Sequence, residues 1–386
     1  MLIINAKIYT MAGSVVDNGW VQVNGGKIAG VRNMDQPPES SSQTIIDAKG
    51  KWLFPGFIDA HTHLGMWEDG LGFEGDDGNE DTDPSTPQLR AVDAINPMDY
   101  CFTEALEAGI TTVITGPGSA NAIGGQMAAI KTMGKRIDDM IVKAPVAMKF
   151  ALGENPKTSY HGKSQSPVTR MATASIIREQ LNKAKRYEEE LQAAAKDPEL
   201  EEPEYDAKCE ALIPLFRKEI KAHFHAHRCD DIFTAIRIAK EFDLEYVIVH
   251  GTQGHKATDV LVKEEVDVLA GPVLCDRSKP ELKDLTPANP GILDRAGIRT
   301  AVVTDHPVIP IQYLPLCAGL AVREGMDWES AIRGLTIVPA QICGIDRQVG
   351  SIEPGKDADL VLFDGDPLTL KAKPSLVICN GQIVRE

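Results

Sequence analysis

The chain has 386 residues, and its 40 Lys+Arg against 56 Asp+Glu give 40 − 56 = −16 formal charges with histidine neutral. So acidic a chain excludes a generic nucleic-acid binder, because attraction to polyphosphate is dominated by Lys and Arg. A hydrophobic share of 43% beside 25% charged residues predicts a folded soluble protein, and 5% aromatics leave the core mostly aliphatic.

The stretch Met1 to Lys7 lacks the apolar run of a signal peptide. No run approaches the ~18 apolar residues of a membrane span; the nearest, Val308 to Val322, contains Pro310, Gln312 and Pro315. No membrane partner is therefore expected. Seven cysteines (101, 209, 229, 275, 317, 343 and 379) are odd in number and show no C-x-x-C spacing. That pattern predicts a reduced, cytoplasmic compartment and argues against a cysteine zinc ribbon.

From Ile3 to Asp47, apolar and polar residues alternate around turn signals such as Asn24-Gly25-Gly26, which predicts several short antiparallel strands. The same grammar returns in Asp359 to Asp366 and in Leu376 to Val384. Short β segments at opposite termini can bury a face only by pairing with each other. One small composite β-sandwich from residues 1–52 and 350–386 is the consequence.

Between the termini, apolar β-branched runs alternate with helical periods. The runs are Ile110 to Thr115, Val142 to Leu152, Tyr246 to Val249, Val266 to Leu274 and Ile298 to Thr304. The helical periods are Met98 to Ala108, Ser175 to Ala195, Asp231 to Phe242 and Trp328 to Leu335. Strands buried on both faces read like this, and seven or eight such units over residues 53–349 predict an α/β fold, a distorted (β/α)8 TIM barrel. Residues 182–212, rich in Lys, Glu and Ala, break the rhythm and read as a helical insertion or lid.

The histidines matter by placement. His61-Thr62-His63 closes the apolar run Phe54 to Ala60, and alternate residues of a strand share a face, so both imidazoles can reach one ion. Phe224-His225-Ala226-His227, His250 after Tyr246 to Val249, and Asp305 after Ile298 to Thr304 also end strands. In a barrel that rim is where the βα loops converge on an active site. Imidazole and carboxylate ligands suit Zn²⁺, with Fe²⁺, Mn²⁺ or Co²⁺ as alternatives, one or two ions in all, and open positions would leave room for a water.

At these residues the sequence resembles the amidohydrolase superfamily, and within it the imidazolonepropionase-like and prolidase-like members, over nearly the whole chain. The resemblance rests on Leu53 to Leu64, His225, His250-Gly251, Thr304-Asp305 and Gly350 to Val361. It implies a metal-dependent barrel with a small β domain made by both termini. It also implies His61, His63, His225 and Asp305 as metal ligands, and His250 as a second-metal ligand or a substrate-polarising group. Asp305 is then the general base and later acid, and His250 shares the catalytic role. The reaction expected is hydrolysis of a C–N bond in a small amide, cyclic amide or short peptide. Deamination of an aminated heterocycle is the alternative on the same scaffold, and a non-catalytic binding or assembly protein is the reading from another class. A homo-oligomer is compatible with all three.

Two residues compete for a bridging position between two metals. Lys149 stands where prolidase-like relatives carry a carbamylated lysine. Glu154, in Gly153-Glu154-Asn155-Pro156, lies at the loop junction itself, and the strand-end rule favours it. Asn121, in the Gly116 to Asn121 loop, and His227 and His306, each beside a proposed ligand, are candidate substrate contacts. The acidic loop 68–83 could attract a cationic substrate group or an ion.

Overall fold

A computed structural model describes residues 1–36 and 44–385; residues 37–43 and 386, which fall in the expected β domain, lie outside the described part. The strands are β1 (Leu2–Ile8), β2 (Val16–Asn24), β3 (Lys27–Asn33), β4 (Ile45–Asp47), β5 (Trp52–Pro55), β6 (Phe57–Thr62), β7 (Ile110–Thr115), β8 (Ile123–Lys131), β9 (Ile141–Ala151), β10 (Lys221–Ala226), β11 (Tyr246–His250), β12 (Asp267–Ala270), β13 (Thr300–Val302), β14 (Leu360–Phe363), β15 (Pro374–Cys379) and β16 (Gln382–Arg385). They form two sheets.

The first runs β16-β15-β14-β5-β1-β2-β3, with β4 on β1. Antiparallel pairing of β5 with β14, Leu53 opposite Leu362, joins the two ends of the chain. Ile3, Ile8 and Val21 share one buried cluster with Leu360, Leu362 and Ile378, so neither terminus could fill this core alone. Because β5 belongs to this sheet, the barrel sheet begins at Phe57.

The second sheet runs in the order β13-β12-β11-β10-β9-β8-β7-β6 and is a nearly closed barrel. Ile58, Met127, Ala147, Val249 and Ala301 fill its interior, and Ala340 and Ile342 of the helix Ile337–Ile342 join them. The runs at 110–115, 142–152 and 246–249 stand as β7, β9 and β11; those at 266–274 and 298–304 shorten to β12 and β13.

The distortion has a specific origin in β8, which the sequence pattern did not mark as a strand. It pairs antiparallel with both β7 and β9. The links 116–122 and 132–140 carry no crossover helix, and a strand without one must run antiparallel to its neighbours. Gly125 conceals the strand: at φ +136 it brings its Cα so near the Leu89 carbonyl that a Cβ would lie 2.6 Å from that oxygen. Gly weakens a strand pattern and permits such a close approach.

Helix α1 (Tyr100–Glu107) precedes β7, while α2 (Glu154–His161) and the long α3 (Arg170–Ala194) follow β9. The region 182–212 begins inside α3, whose Ile177, Leu181, Ala184 and Tyr187 are buried at helical spacing with Cys209, Leu212 and Phe224. It packs as the crossover from β9 to β10. No helix among the described residues is long and apolar enough to cross a membrane.

Candidate active site

His61 and His63 leave the end of β6, and Asp305 follows β13. Both imidazole Nε2 atoms lie 3.4 Å from Asp305 Oδ1. A second group comes from neighbouring strands: His225 in β10, His227 just beyond it, and His250 at the end of β11, with ligand atoms within 4.8 Å of one another. His250 (φ +74) and Asp305 (φ +58) take left-handed backbone conformations, rare for residues other than Gly, where the chain leaves the sheet. Strain of this kind collects at functional sites.

Second partners orient the rings. His63 Nδ1 donates to the Gly116 carbonyl at 2.7 Å and His250 Nδ1 to the Gly271 carbonyl at 2.8 Å, which leaves each Nε2 with a free lone pair. His225 Nδ1 meets Ser119 Oγ at 3.0 Å and His227 Nδ1 meets Thr252 Oγ1 at 2.7 Å. Nε2 of both His225 and His250 is buried without a hydrogen-bond partner among the described residues. Buried polar atoms are rarely left so, and convergent lone pairs beside a carboxylate fit a divalent cation.

The three imidazoles of the second group are not equivalent. His227 stacks on His250 at 4.4 Å with only 8° between the rings, whereas His225 and His250 stand at 78°. An imidazole binds an ion in its own plane, and near-parallel planes do not meet at one point. His225 and His250 can therefore share an ion, while His227 faces Glu281 Oε1 at 3.6 Å.

Burial dominates the electrostatics. It pushes His250 down to about 4 and His61, His225 and His227 well below the usual imidazole range, so these rings are neutral at pH 7. It opposes ionisation of Asp305 too, but His250, His63 and Lys149 together hold that carboxyl below its ordinary value.

Lys149, fully buried in β9, places Nζ 3.1 Å from His61 Nε2. Its charge adds to burial in lowering His61, His225 and His250. Burial lowers its ammonium to about 8, against the pull of Asp305.

Glu154 does not join either group. It begins α2, its Oε2 lies 3.4 Å from the Glu281 N–H, and its own N–H donates to Glu281 Oε2 at 3.1 Å. A glycine with φ +85 precedes it, and Glu154 lines the cavity without joining either group, while Lys149 is fully buried in β9. Asn121 is spent on structure, donating to the Glu80 carbonyl and Thr86 Oγ1 and accepting from Tyr160 Oη. His306 Nδ1 accepts from the Ile311 N–H at 3.1 Å.

A cavity of about 740 Å³ opens over the site between Trp67, Ser119, Lys279 and Asp305. Trp67 bonds Asp76 through Nε1, and Glu68 and Asp69 of the acidic loop line the rim. Lys279 Nζ lies 2.7 Å from Glu281 Oε1 and 2.8 Å from Asn155 Oδ1. Lys279 and Glu281 escaped the sequence reading, since nothing in Lys279-Pro280-Glu281 marks a motif; Ser119 lay in a flagged loop without being singled out.

With this geometry, the comparisons with known proteins are consistent. The chain is 30% identical to the amidohydrolase tasK of Hapsidospora irregularis over 392 residues, 94% of this chain and 39% of that protein. It is 25% identical to an adenine deaminase of Listeria monocytogenes over 397 residues, 100% of this chain and 57% of that protein. The chain thus spans only about half the length of the curated relatives it matches. A crystal structure of an amidohydrolase from Thermotoga maritima MSB8 superposes with a TM-score of 0.95 at 43% identity, each chain covered completely. A prolidase complexed with N-methylphosphonate-L-proline shares the fold at 18% identity and a TM-score of 0.60. The family model for the amidohydrolase family matches residues 52–384, which contain both histidine groups, and the chain belongs to that family.

Proposed function

We propose that the protein is a metal-dependent hydrolase of a C–N bond in a small amide, cyclic amide or short peptide. The observation that carries this reading is the convergence of His61, His63 and Asp305 with His225 and His250, the last two with Nε2 unpaired among the described residues, at the carboxyl rim of the barrel under an open cavity. His61, His63 and Asp305 would hold one divalent ion, and His225 and His250 a second. Lys149 replaces Glu154 as our choice for the residue between them: its neutral amine adds to CO2, releasing one proton and leaving an anionic carbamate among both groups. Zn²⁺ is the proposed metal on donor chemistry, with Fe²⁺, Mn²⁺ and Co²⁺ acceptable.

A divalent ion held here supplies Lewis acidity, lowering the pKa of water to roughly 7 and polarising a carbonyl. The chain supplies the rest. Asp305 Oδ1, ionised at neutral pH and between two imidazoles, takes the proton of the attacking water and returns it to the leaving nitrogen. Trp67 walls the cavity, Lys279 offers an ammonium for an anionic substrate group, and burial of the imidazoles keeps them unprotonated. Seven unpaired cysteines support a reducing, cytoplasmic setting.

Deamination of an aminated heterocycle stays as the second reading, favoured by similarity to adenine deaminase along the whole chain. Purified protein, assayed for bound metal and screened against acyl-amino acids, dipeptides, cyclic amides and aminated heterocycles, separates the two. His61→Ala and His225→Ala should each lower metal content, and Asp305→Asn should abolish turnover. Full metal in both alanine variants would refute the metal reading.

A further inference from the structure

We infer that Asp59 is the positioning residue that sets the first ligand group, by clasping the barrel where its sheet does not close. This rests on the metal reading above. The hydrogen-bonded sheet has β6 at one edge and β13 at the other, so among the described residues no ladder links β6, which carries His61 and leads to His63, with β13, which leads to Asp305. β13 itself is only Thr300–Val302 and ends before Asp305.

What joins the edges is a local network around one fully buried carboxyl group. Asp59 Oδ1 accepts from the His61 N–H at 3.2 Å. Its Oδ2 accepts from the Thr304 N–H at 3.1 Å and from the Thr304 hydroxyl at 2.5 Å. Thr304 Oγ1 in turn accepts from the His306 N–H at 3.1 Å. Two backbone bonds complete the seam: Asp305 N–H to the His61 carbonyl at 3.2 Å, and His63 N–H to the His306 carbonyl at 2.8 Å. The Asp59 carboxyl thus ties Thr304, the residue before Asp305, to β6, and the two backbone bonds tie Asp305 itself and His306, so Asp59 supplies the side-chain part of the seam in which Asp305 holds its left-handed conformation.

The second group needs no such clasp. His225 and His250 sit on adjacent strands in continuous parallel register, with His225 opposite Val249 and Ala226 opposite His250. Loss of the Asp59 clasp should therefore disturb one metal position and spare the other. Asn at this position offers a single acceptor to two fixed N–H donors that approach different oxygens, so one donor must face an amide N–H. Outer-shell partners of this kind typically change metal affinity by about 10–100-fold.

The test is cobalt(II) binding to the full chain, measured by chelator competition and visible absorption, with bound metal counted by elemental analysis. Wild-type protein should show two binding steps. In Asp59→Asn one step should weaken by about 10–100-fold while the other is unchanged, and in a His225→Ala background the remaining step should be the one that weakens. Thr304→Val, which removes only the hydroxyl, should weaken the same step to a smaller degree, and Thr304→Ser should restore it; this pair carries the test if Asp59→Asn does not fold. Two unchanged steps, or equal weakening of both, would overturn the clasp. Absence of metal binding in wild-type protein would overturn the metal reading, and this inference with it.

Discussion

The most direct physical test of the architecture is Lys131→Met, far from the metal ligands. Lys131 closes β8 and reaches across to the segment entering β14: Nζ lies 3.0 Å from Asp357 Oδ2 and also pairs with Asp359, and these side chains are 4%, 12% and 4% exposed. Breaking a buried pair by removing one partner costs roughly 3–5 kcal/mol, because the remaining charge is left uncompensated. Two features pull toward the lower end. Lys27 still pairs Asp357 at 2.5 Å, and Asp359 still accepts from the Asn380 N–H at 2.8 Å. A loss of about 3 kcal/mol is expected. With unfolding entropy near 2.1 cal/mol/K per residue, 386 residues give about 0.8 kcal/mol/K, so Tm should fall by about 4 °C.

The loss should depend on pH with a definite sign. Burial works against ionised Asp357, but Lys131 and Lys27 hold its carboxyl below the ordinary value. Its contribution is therefore present above the unfolded carboxylate pKa and fades as pH falls through the lower folded value. Lys131 is raised despite burial, by Asp359 and its neighbours, so its contribution persists through neutrality and is lost only at strongly alkaline pH. Thermal unfolding of wild type and Lys131→Met from about pH 3 to pH 8 should show a constant gap near neutrality that narrows in acid. Adding Asp359→Asn to Lys131→Met should recover part of the loss. An unchanged Tm, or a gap that does not shrink in acid, would refute the account of this pair.

Three further outcomes follow from the site. Lys149→Met should lose metal and activity, and chelator-stripped wild-type enzyme should regain activity more completely when metal is returned with bicarbonate; indifference of both to the substitution would exclude the carbamate. Glu154→Ala should keep full metal content, with any effect confined to KM, and a metal-depleted variant would reinstate Glu154 as a ligand. Gly153→Ala places a Cβ 2.9 Å from Glu281 Oε2 and 3.0 Å from Asp231 Oδ2 at φ +85, so it should cost about 1–3 kcal/mol of stability, read by chemical denaturation; a neutral substitution would show that this junction yields.

His61, His63, His225, His250 and Asp305 were legible in the sequence for a local reason. Each ends an apolar run, and the end of a buried parallel strand is a fixed place in a barrel, so a one-dimensional pattern named a three-dimensional rim. The composite terminal sheet was legible too, because short strands at two ends have few other ways to bury a face. The choice between Lys149 and Glu154 was not. It rests on the hydrogen bonds that tie Glu154 to Glu281 and on the buried Lys149, whose Nζ reaches within 3.1 Å of His61 Nε2. β8 escaped because its glycines erase the alternation that marks a strand, although a neighbouring backbone needs that bare surface. Lys279, Glu281 and the Asp59 clasp belong to tertiary structure alone: Lys279 meets Asn155 across 124 positions and Asp59 meets Thr304 across 245. Hydrogen bonds between segments that only the folded barrel brings together leave no spacing to read in the chain.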